Sequence, residues 1–80
     1  MVDYQNLSGE SHIRRYELGD DFIIVEFKTP TEDGGYKYKY SYTSCGENNV
    51  ESMKILAEQG KGLNTFINKY VREKYESKLG

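Results

Sequence analysis

The stretch that decides the fold of this chain is Tyr36-Lys37-Tyr38-Lys39-Tyr40-Ser41-Tyr42. Rings and polar side chains alternate along it, and a β-strand points successive side chains to opposite faces. The alternation predicts a strand over residues 36–43, with four tyrosines on one face and Lys37 and Lys39 on the other. We expect most of the tyrosine row to be buried. Leu, Ile, Val and Phe supply only 17 of the 80 residues, so the core needs the apolar surface of the rings.

Two further strands are predicted on the N-terminal side of the tyrosine strand. Residues 11–18 show an imperfect alternation, and residues 22–28 are rich in β-branched and aromatic residues. The second of these segments places Ile23, Val25 and Phe27 on one uniformly apolar face. A Gly-Asp-Asp turn separates the two segments, and a connection containing proline and glycine leads to the tyrosine strand.

Two amphipathic helices are predicted after the tyrosine strand. We expect the first to be capped by the side-chain oxygen of Asn48 or Asn49 and to end at Gly60, a residue suited to a left-handed C-terminal position. The second is expected to begin near Asn64 or Thr65. Its apolar side would comprise Leu63, Phe66, Ile67, Tyr70, Val71 and Tyr75.

Strands that precede helices predict an α+β fold, here a three-stranded antiparallel sheet followed by two helices packed on one face. Eighty residues allow a single core. We therefore expect one domain over residues 11–80, after a flexible lead-in over residues 1–10 that shows no periodicity. The predicted core comprises Ile23, Val25, Phe27, Tyr38, Tyr40, Met53, Leu56, Phe66, Ile67 and Tyr70.

Charge is unevenly divided along the chain. Residues 1–35 carry eight acidic side chains against three basic ones, and residues 36–80 carry eight basic against five acidic, so the net charge of −2 combines −5 and +3. Such asymmetry can mark a surface for nucleic acid or for an acidic protein. The alternative, which we favour, is that the two halves attract each other inside one fold.

Residues suited to catalysis are scarce. His12 and Cys45 are the only imidazole and the only thiol, nothing in the sequence orients the imidazole, and soft-metal sites usually need three or four such ligands. We expect no catalytic residue, no metal and no cofactor. The sequence has one cysteine and no signal-peptide pattern, so we expect a cytoplasmic protein. Its longest apolar run, residues 22–25, is too short to span a bilayer, so we expect no contact with a membrane.

A series of short motifs runs through the chain: Ser11-x-Ile13-x-x-Tyr16, Ile23-x-Val25-x-Phe27, Gly35-Tyr36-x-Tyr38, Ala57-x-x-Gly60 and Leu63-Asn64-x-x-Ile67. Their order and spacing resemble the KTSC domain, a short module named after its occurrence at the C-terminus of some lysyl-tRNA synthetases. The resemblance covers residues 11–71. It departs from the family in a longer loop at residues 29–34, in Tyr42-Thr43-Ser44-Cys45-Gly46 where Val-Pro is usual, and in Glu58 where serine is usual. It implies a stand-alone bacterial or phage protein of no established activity, and it hints at nucleic acid by association alone.

Burial of the tyrosines would give the opposite face of the sheet a distinct character. Lys37 and Lys39 would lie there beside Phe22 and Ile24, making an apolar patch with a cationic fringe, which usually marks a partner or self-association surface. The remaining candidate binding residues are Lys61 and Asn64, in the hinge between the helices.

The sequence therefore predicts a small non-enzymatic binding module, with a protein partner or self-association favoured. The alternative is a module that binds single-stranded RNA, in which the tyrosine rings stack on bases and the lysines hold phosphates. A pI near 5.4 favours the protein partner, because the acidic first half would repel a long polyanion.

Overall fold

The computed structural model describes residues 1–7, 9, 12–31 and 34–80 of the chain. Within these ranges one antiparallel sheet is formed, in the order β1-β2-β3-β4-β5, by Val2–Asp3 (β1), Ile13–Leu18 (β2), Phe22–Phe27 (β3), Lys37–Ser41 (β4) and Ser77–Lys78 (β5). The helical segments are Tyr42–Cys45 (α1), Glu47–Gln59 (α2), Leu63–Phe66 (α3) and a π-helix, Ile67–Val71. The predicted α+β class is confirmed, but the sheet has five strands rather than three. Ser11 and the Glu32-Asp33 turn lie outside the described residues.

The hydrophobic core lies between one face of the sheet and the helices. Cross-strand pairing places Ile23 opposite Tyr40 and Val25 opposite Tyr38, so the apolar face of β3 continues across β4. The helices contribute Val50, Met53, Ala57, Leu63, Ile67 and Val71 to the same buried cluster. The core predictions that the structure confirms are Ile23, Val25, Phe27, Tyr38, Tyr40, Met53 and Ile67.

Only part of the tyrosine row is buried in the core. Tyr38 and Tyr40 are each 2% exposed, whereas Tyr36 is 45% exposed at the start of the strand. The strand ends at Ser41 rather than at residue 43, because the Ser41 and Ser44 side chains each accept a backbone N–H from the other residue and so begin a helical turn. Tyr42 lies in that turn, where its hydroxyl donates to Glu51 at 2.6 Å and the bond raises the pKa of Tyr42 to about 12.

The long helix α2 begins earlier than the sequence predicts and ends where it predicts. Its N-terminal cap is Gly46, so the prediction of Asn48 or Asn49 as the capping residue is wrong. Asn49 lies in the first turn and donates its side-chain amide to the carbonyl of Cys45 at 2.8 Å. Gly60 has the left-handed conformation expected of a C-terminal glycine, with φ of 76°.

The second predicted helix is shorter and changes type partway along. After α3 the chain continues as the π-helix and turns beyond Arg72, so it does not extend to Tyr75. A π-turn closes its hydrogen bonds over five residues instead of four, which changes the direction of the side chains that follow. Val71 is consequently buried while Tyr70, a predicted core residue, is 50% exposed. Leu56 and Phe66 pack at the edge of the core and remain partly exposed.

The N-terminal residues do more than lead into the domain. Val2 pairs with Tyr16, which makes β1 an edge strand, and Tyr4 is buried in the core. The Tyr4 hydroxyl accepts the backbone N–H of Leu63 at 3.4 Å, and the N–H of Leu7 donates to the carbonyl of Gly60 at 2.7 Å. Val2, Tyr4 and Leu7, which belong to the predicted lead-in, therefore contact the rest of the fold, while Ser8 and Glu10 lie outside the described residues.

Two residues of α2 offer a matched test of the core. Met53 is fully buried, whereas Ile55, two positions along the same helix, is 56% exposed. We predict that Met53→Ala lowers the free energy of unfolding by ~2–5 kcal/mol, because a cavity is left in the core. Ile55→Ala should change it by no more than ~0.5 kcal/mol. Urea denaturation followed by circular dichroism measures both, and equal losses would contradict the assigned face of α2.

Two left-handed glycines test whether the N-terminal segment is docked. Gly60 and Gly62 have φ of 76° and 84°, so alanine at either position should cost roughly 1–2 kcal/mol of backbone strain. A Cβ on Gly60 would also lie 2.6 Å from Cβ of Gln5, whereas a Cβ on Gly62 would meet nothing closer than Leu56 at 3.5 Å. We predict that Gly60→Ala is the more destabilising in urea denaturation. A loss no larger than that of Gly62→Ala would show that Gln5 does not pack there.

Candidate binding surfaces

The face of the sheet that points away from the core, here called the outer face, brings together four of the predicted binding residues. Phe22 and Ile24 alternate with the buried residues of β3, and pairing places Ile24 opposite Lys39 and Glu26 opposite Lys37. Phe22, Ile24 and both lysines are half-buried, so each keeps part of its surface exposed. The outer face is therefore partly apolar, with lysines beside the apolar residues.

Lys39 is held by two contacts on this face. Its Nζ lies 4.7 Å from the centroid of the Phe22 ring, a cation–π contact, and 3.4 Å from Oε2 of Glu76. A hydrogen bond from the Ser41 hydroxyl, assisted by Lys39, lowers the pKa of the Glu76 carboxyl. The charge of Lys39 is thus already matched by an acidic residue of the same chain.

A bidentate ion pair fixes another part of the outer face. Arg15 on β2 lies opposite Glu26 on β3 and donates to both of its carboxylate oxygens, at 2.9 Å each. Glu26 is only 3% exposed, and a carboxylate removed from water in this way needs charged donors. This pair was not among the predicted features. Its signal is a basic residue in one predicted strand facing an acidic residue in the next.

The six predicted binding residues do not form one site. Lys61 is exposed between Gly60 and Gly62, in the turn that joins α2 to α3. Asn64 is on α3, on the helix side of the sheet, where it lines a cleft. The structure therefore separates these two residues from the four on the outer face.

The cleft that contains Asn64 has a volume of about 370 Å³, near the lower end of the range found for ligand pockets. Its floor is apolar and is made by Phe27, Tyr38, Tyr40 and Ile67. One wall comes from the sheet and its loops, through His12, Thr29, Pro30 and Thr31. The opposite wall comes from α3, the π-helix and the turn after it, through Asn64, Asn68, Arg72 and Glu73. The cleft thus combines an apolar floor with a polar rim, as many ligand pockets do.

The sheet-side wall is fixed by the hydroxyl of Tyr38. This buried group donates to the carbonyl of Gly35 at 3.1 Å and accepts the N–H of Gly35 at 3.2 Å. It also forms a hydrogen bond with the hydroxyl of Thr31. A buried phenol needs such partners, and here the partners belong to the loop between β3 and β4. The floor of the cleft and its wall are therefore parts of one hydrogen-bonded unit.

The helical wall depends on the change from α3 to the π-helix. Asn64, Asn68 and Arg72 follow one another at intervals of four residues, a spacing that places them on one side of the helix. The wider π-turn lies between Asn68 and Arg72 and lets Arg72 reach the same cleft. The spacing of the polar residues could have been recognised in the sequence, but the π-turn has no comparable sequence signal.

The structure gives different surroundings to His12 and Cys45, the one imidazole and the one thiol of the sequence. His12 lines the cleft, whereas Cys45 belongs to α1 at the end of β4, where its thiol donates to the carbonyl of Ser41 at 3.4 Å. Burial raises the pKa of the Cys45 thiol, which disfavours a reactive thiolate. Within the described ranges, no group of three His, Cys, Asp or Glu side chains is placed to hold a metal ion.

Comparison of the chain with protein-family models, with curated proteins and with solved structures finds no match. The KTSC resemblance therefore stays a prediction. In the described part of the chain, no helix has the length and apolar character needed to cross a membrane.

The two arginines of β2 offer a matched test of the outer-face ion pair. Arg15 makes the bidentate contact with Glu26, whereas Nε of Arg14 lies 3.8 Å from the same carboxylate and its side chain is 65% exposed. We predict that Arg15→Met lowers the free energy of unfolding by about 1–3 kcal/mol, because Glu26 loses its main partner. Arg14→Met should change it by less than ~0.5 kcal/mol. Urea denaturation at low salt provides the measurement, and a greater loss from Arg14→Met would reverse the assignment.

Proposed function

We propose that this protein is a small non-enzymatic binding module whose outer face engages a partner protein or a second copy of the chain. The observation that carries this proposal is that Phe22 and Ile24 keep exposed surface beside the ion pairs Arg15–Glu26 and Lys39–Glu76. An apolar anchor surrounded by charged residues is the usual arrangement of a protein-binding surface.

The ion pairs support this function by ordering the face in advance. The two hydrogen bonds from Arg15 to the buried Glu26 order that side chain, so it loses less rotational freedom when a partner docks. The partly exposed contact of Lys39 with Glu76 orders Lys39 less strongly. Reduced ordering on binding improves affinity without adding contacts. The partner that fits best brings an apolar side chain to Ile24 and polar groups to the paired charges.

Single-stranded RNA is the weaker candidate. Tyr38 and Tyr40 are buried, so their rings are not available to stack on bases. Lys39 contacts Glu76 and the Phe22 ring, and Lys37 lies opposite Glu26. Phosphate binding would have to compete with these acidic neighbours.

Membership of the KTSC family, a bacterial or phage origin and a cytoplasmic location belong to the same proposal. The first two depend on the order of the motifs from Ser11 to Ile67, and the third on the use of a single cysteine.

The proposal predicts that Ile24→Glu abolishes association, because it places a charge at the centre of the apolar anchor. Ile55→Glu is the matched control, since Ile55 is an exposed isoleucine on α2. Sedimentation velocity of the purified variants tests self-association. Affinity capture from a lysate of the source cells, followed by reconstitution with the captured protein, tests a separate partner. Both variants must first melt like the parent protein.

Two results would contradict the proposal. One is that Ile24→Glu associates as well as Ile55→Glu in both assays. The other is tight binding of labelled single-stranded RNA that weakens by ~0.7 log units per phosphate contact for each log unit of salt. If that binding were also lost in the Lys37→Glu, Lys39→Glu double variant, RNA would be the ligand of the outer face.

A further inference from the structure

The cleft on the helix side of the sheet is a second surface with its own chemistry. Its floor includes Phe27 and Ile67, whereas the residues of the outer face point to the other side of the sheet. We infer that the cleft binds an extended peptide segment, with one apolar side chain over Phe27 and Ile67 and the peptide backbone along Asn64 and Asn68. This inference goes beyond the outer face and does not depend on it.

The hydrogen-bonding groups of the helical wall match a peptide backbone. Asn64 and Asn68 lie one turn apart, and both line the cleft. Each carboxamide offers a donor and an acceptor, and a peptide bond offers the complementary acceptor and donor. Four residues of helix span about 6 Å, close to the roughly 6.6 Å between alternate peptide groups of an extended chain, which face the same side. The two carboxamides can therefore bind alternate peptide groups of such a chain.

The charges of the rim point to the same kind of ligand. Arg72 and Glu73 are adjacent and opposite in sign, and the other rim residues that the structure describes, apart from His12, carry hydroxyl, amide and proline side chains. A ligand with several phosphates would meet Glu73 as well as Arg72. A neutral backbone meets donors and acceptors without a charge to neutralise.

The shape of the cleft favours a chain over a small molecule. His12, Asn68, Arg72 and Glu73 are all exposed, so the cleft is shallow at its rim. A small molecule is usually held with most of its surface buried. An extended peptide can instead combine several shallow contacts along its length, and one apolar side chain can reach the floor beside Ile67.

Contacts with the core hold residues of both walls of the cleft in place. The Tyr38 hydroxyl ties the loop wall at Thr31 and Gly35 to the sheet. On the other wall, Ile67 is buried and anchors the π-helix to the core. The described parts of both walls are therefore joined to the core before a ligand arrives, which favours binding of a segment with few contacts.

The test uses two acetylated and amidated pentapeptides as probes, Gly-Ala-Leu-Ala-Gly and Gly-Ala-Gly-Ala-Gly. We expect the leucine peptide to shift the backbone amide signals of Thr29, Asn64 and Asn68 in ¹⁵N NMR spectra at millimolar concentration. The glycine peptide should shift them less at the same concentration, because nothing in it reaches the floor. Asn68→Ala should weaken binding of the leucine peptide by about three- to tenfold, the effect of losing one or two hydrogen bonds.

Matched variants separate this inference from the proposed function. Asn48→Ala removes an exposed asparagine from the first turn of α2 and should bind the leucine peptide like the parent protein. Ile24→Glu alters the outer face and should also leave peptide binding unchanged. Loss of binding in Ile24→Glu, with none in Asn68→Ala, would place the peptide on the outer face and overturn the inference.

Two further outcomes would also overturn it. The first is the absence of any shift in the cleft signals at 5–10 mM of the leucine peptide, about the weakest binding that such spectra detect. The second is a larger shift of the same signals with adenosine monophosphate than with the leucine peptide. That result would assign the cleft to a nucleotide.

Discussion

The burial of the Tyr38 side chain is the constraint on which much of this structure depends. Its ring packs 4.7 Å from that of Tyr75, between centroids, and edge-on to that of Phe27 at 6.0 Å. Its hydroxyl cannot be left without partners in the core, and it finds them in Thr31 and Gly35. One side chain thus joins the sheet, the loop after β3 and the segment that leads into β5. In a domain with few aliphatic residues, tyrosine supplies core volume and also fixes the loop.

Side chains alternate along β4, so the burial of Tyr38 also determines which residues lie on the outer face. Because Tyr38 and Tyr40 point into the core, Lys37 and Lys39 must point outward. A shift of one residue in the strand pairing would bury the lysines and expose the tyrosines. Lys39 then lies within reach of Glu76, just before β5, and of the Phe22 ring. The same short segment therefore supplies the floor of the cleft and the lysines of the outer face. The outer face and the cleft lie on opposite sides of the sheet, but β4 contributes residues to both.

The sequence predicts the secondary structure well where one local pattern dominates, and poorly where an element depends on contacts with distant residues. Residues 22–28 have a uniform apolar face and Gly60 has no side chain to oppose a left-handed turn, so β3 and the end of α2 could be predicted. The strands β1 and β5 are only two residues long, and each forms because a neighbouring edge is available, which no local pattern records. The π-helix follows a helical pattern until its wider turn buries Val71 and exposes Tyr70. The outer face was therefore predictable, whereas the cleft beside the π-helix was not.

The two ion pairs of the outer face form within the acidic half and within the basic half of the chain, and not between the two halves. Arg15 and Glu26 both belong to the acidic first half, and Lys39 and Glu76 both belong to the basic second half. These pairs therefore leave the net charges of the two halves, −5 and +3, unchanged. On the outer face, Glu17 of β2 and Lys39 of β4 lie on either side of Ile24. Because Lys39 is already paired with Glu76, the two sides of Ile24 present different polar groups, an acidic side chain on one side and an ion pair on the other. A surface of this kind selects partners by orientation as well as by contact, because a reversed partner would bring the wrong groups together.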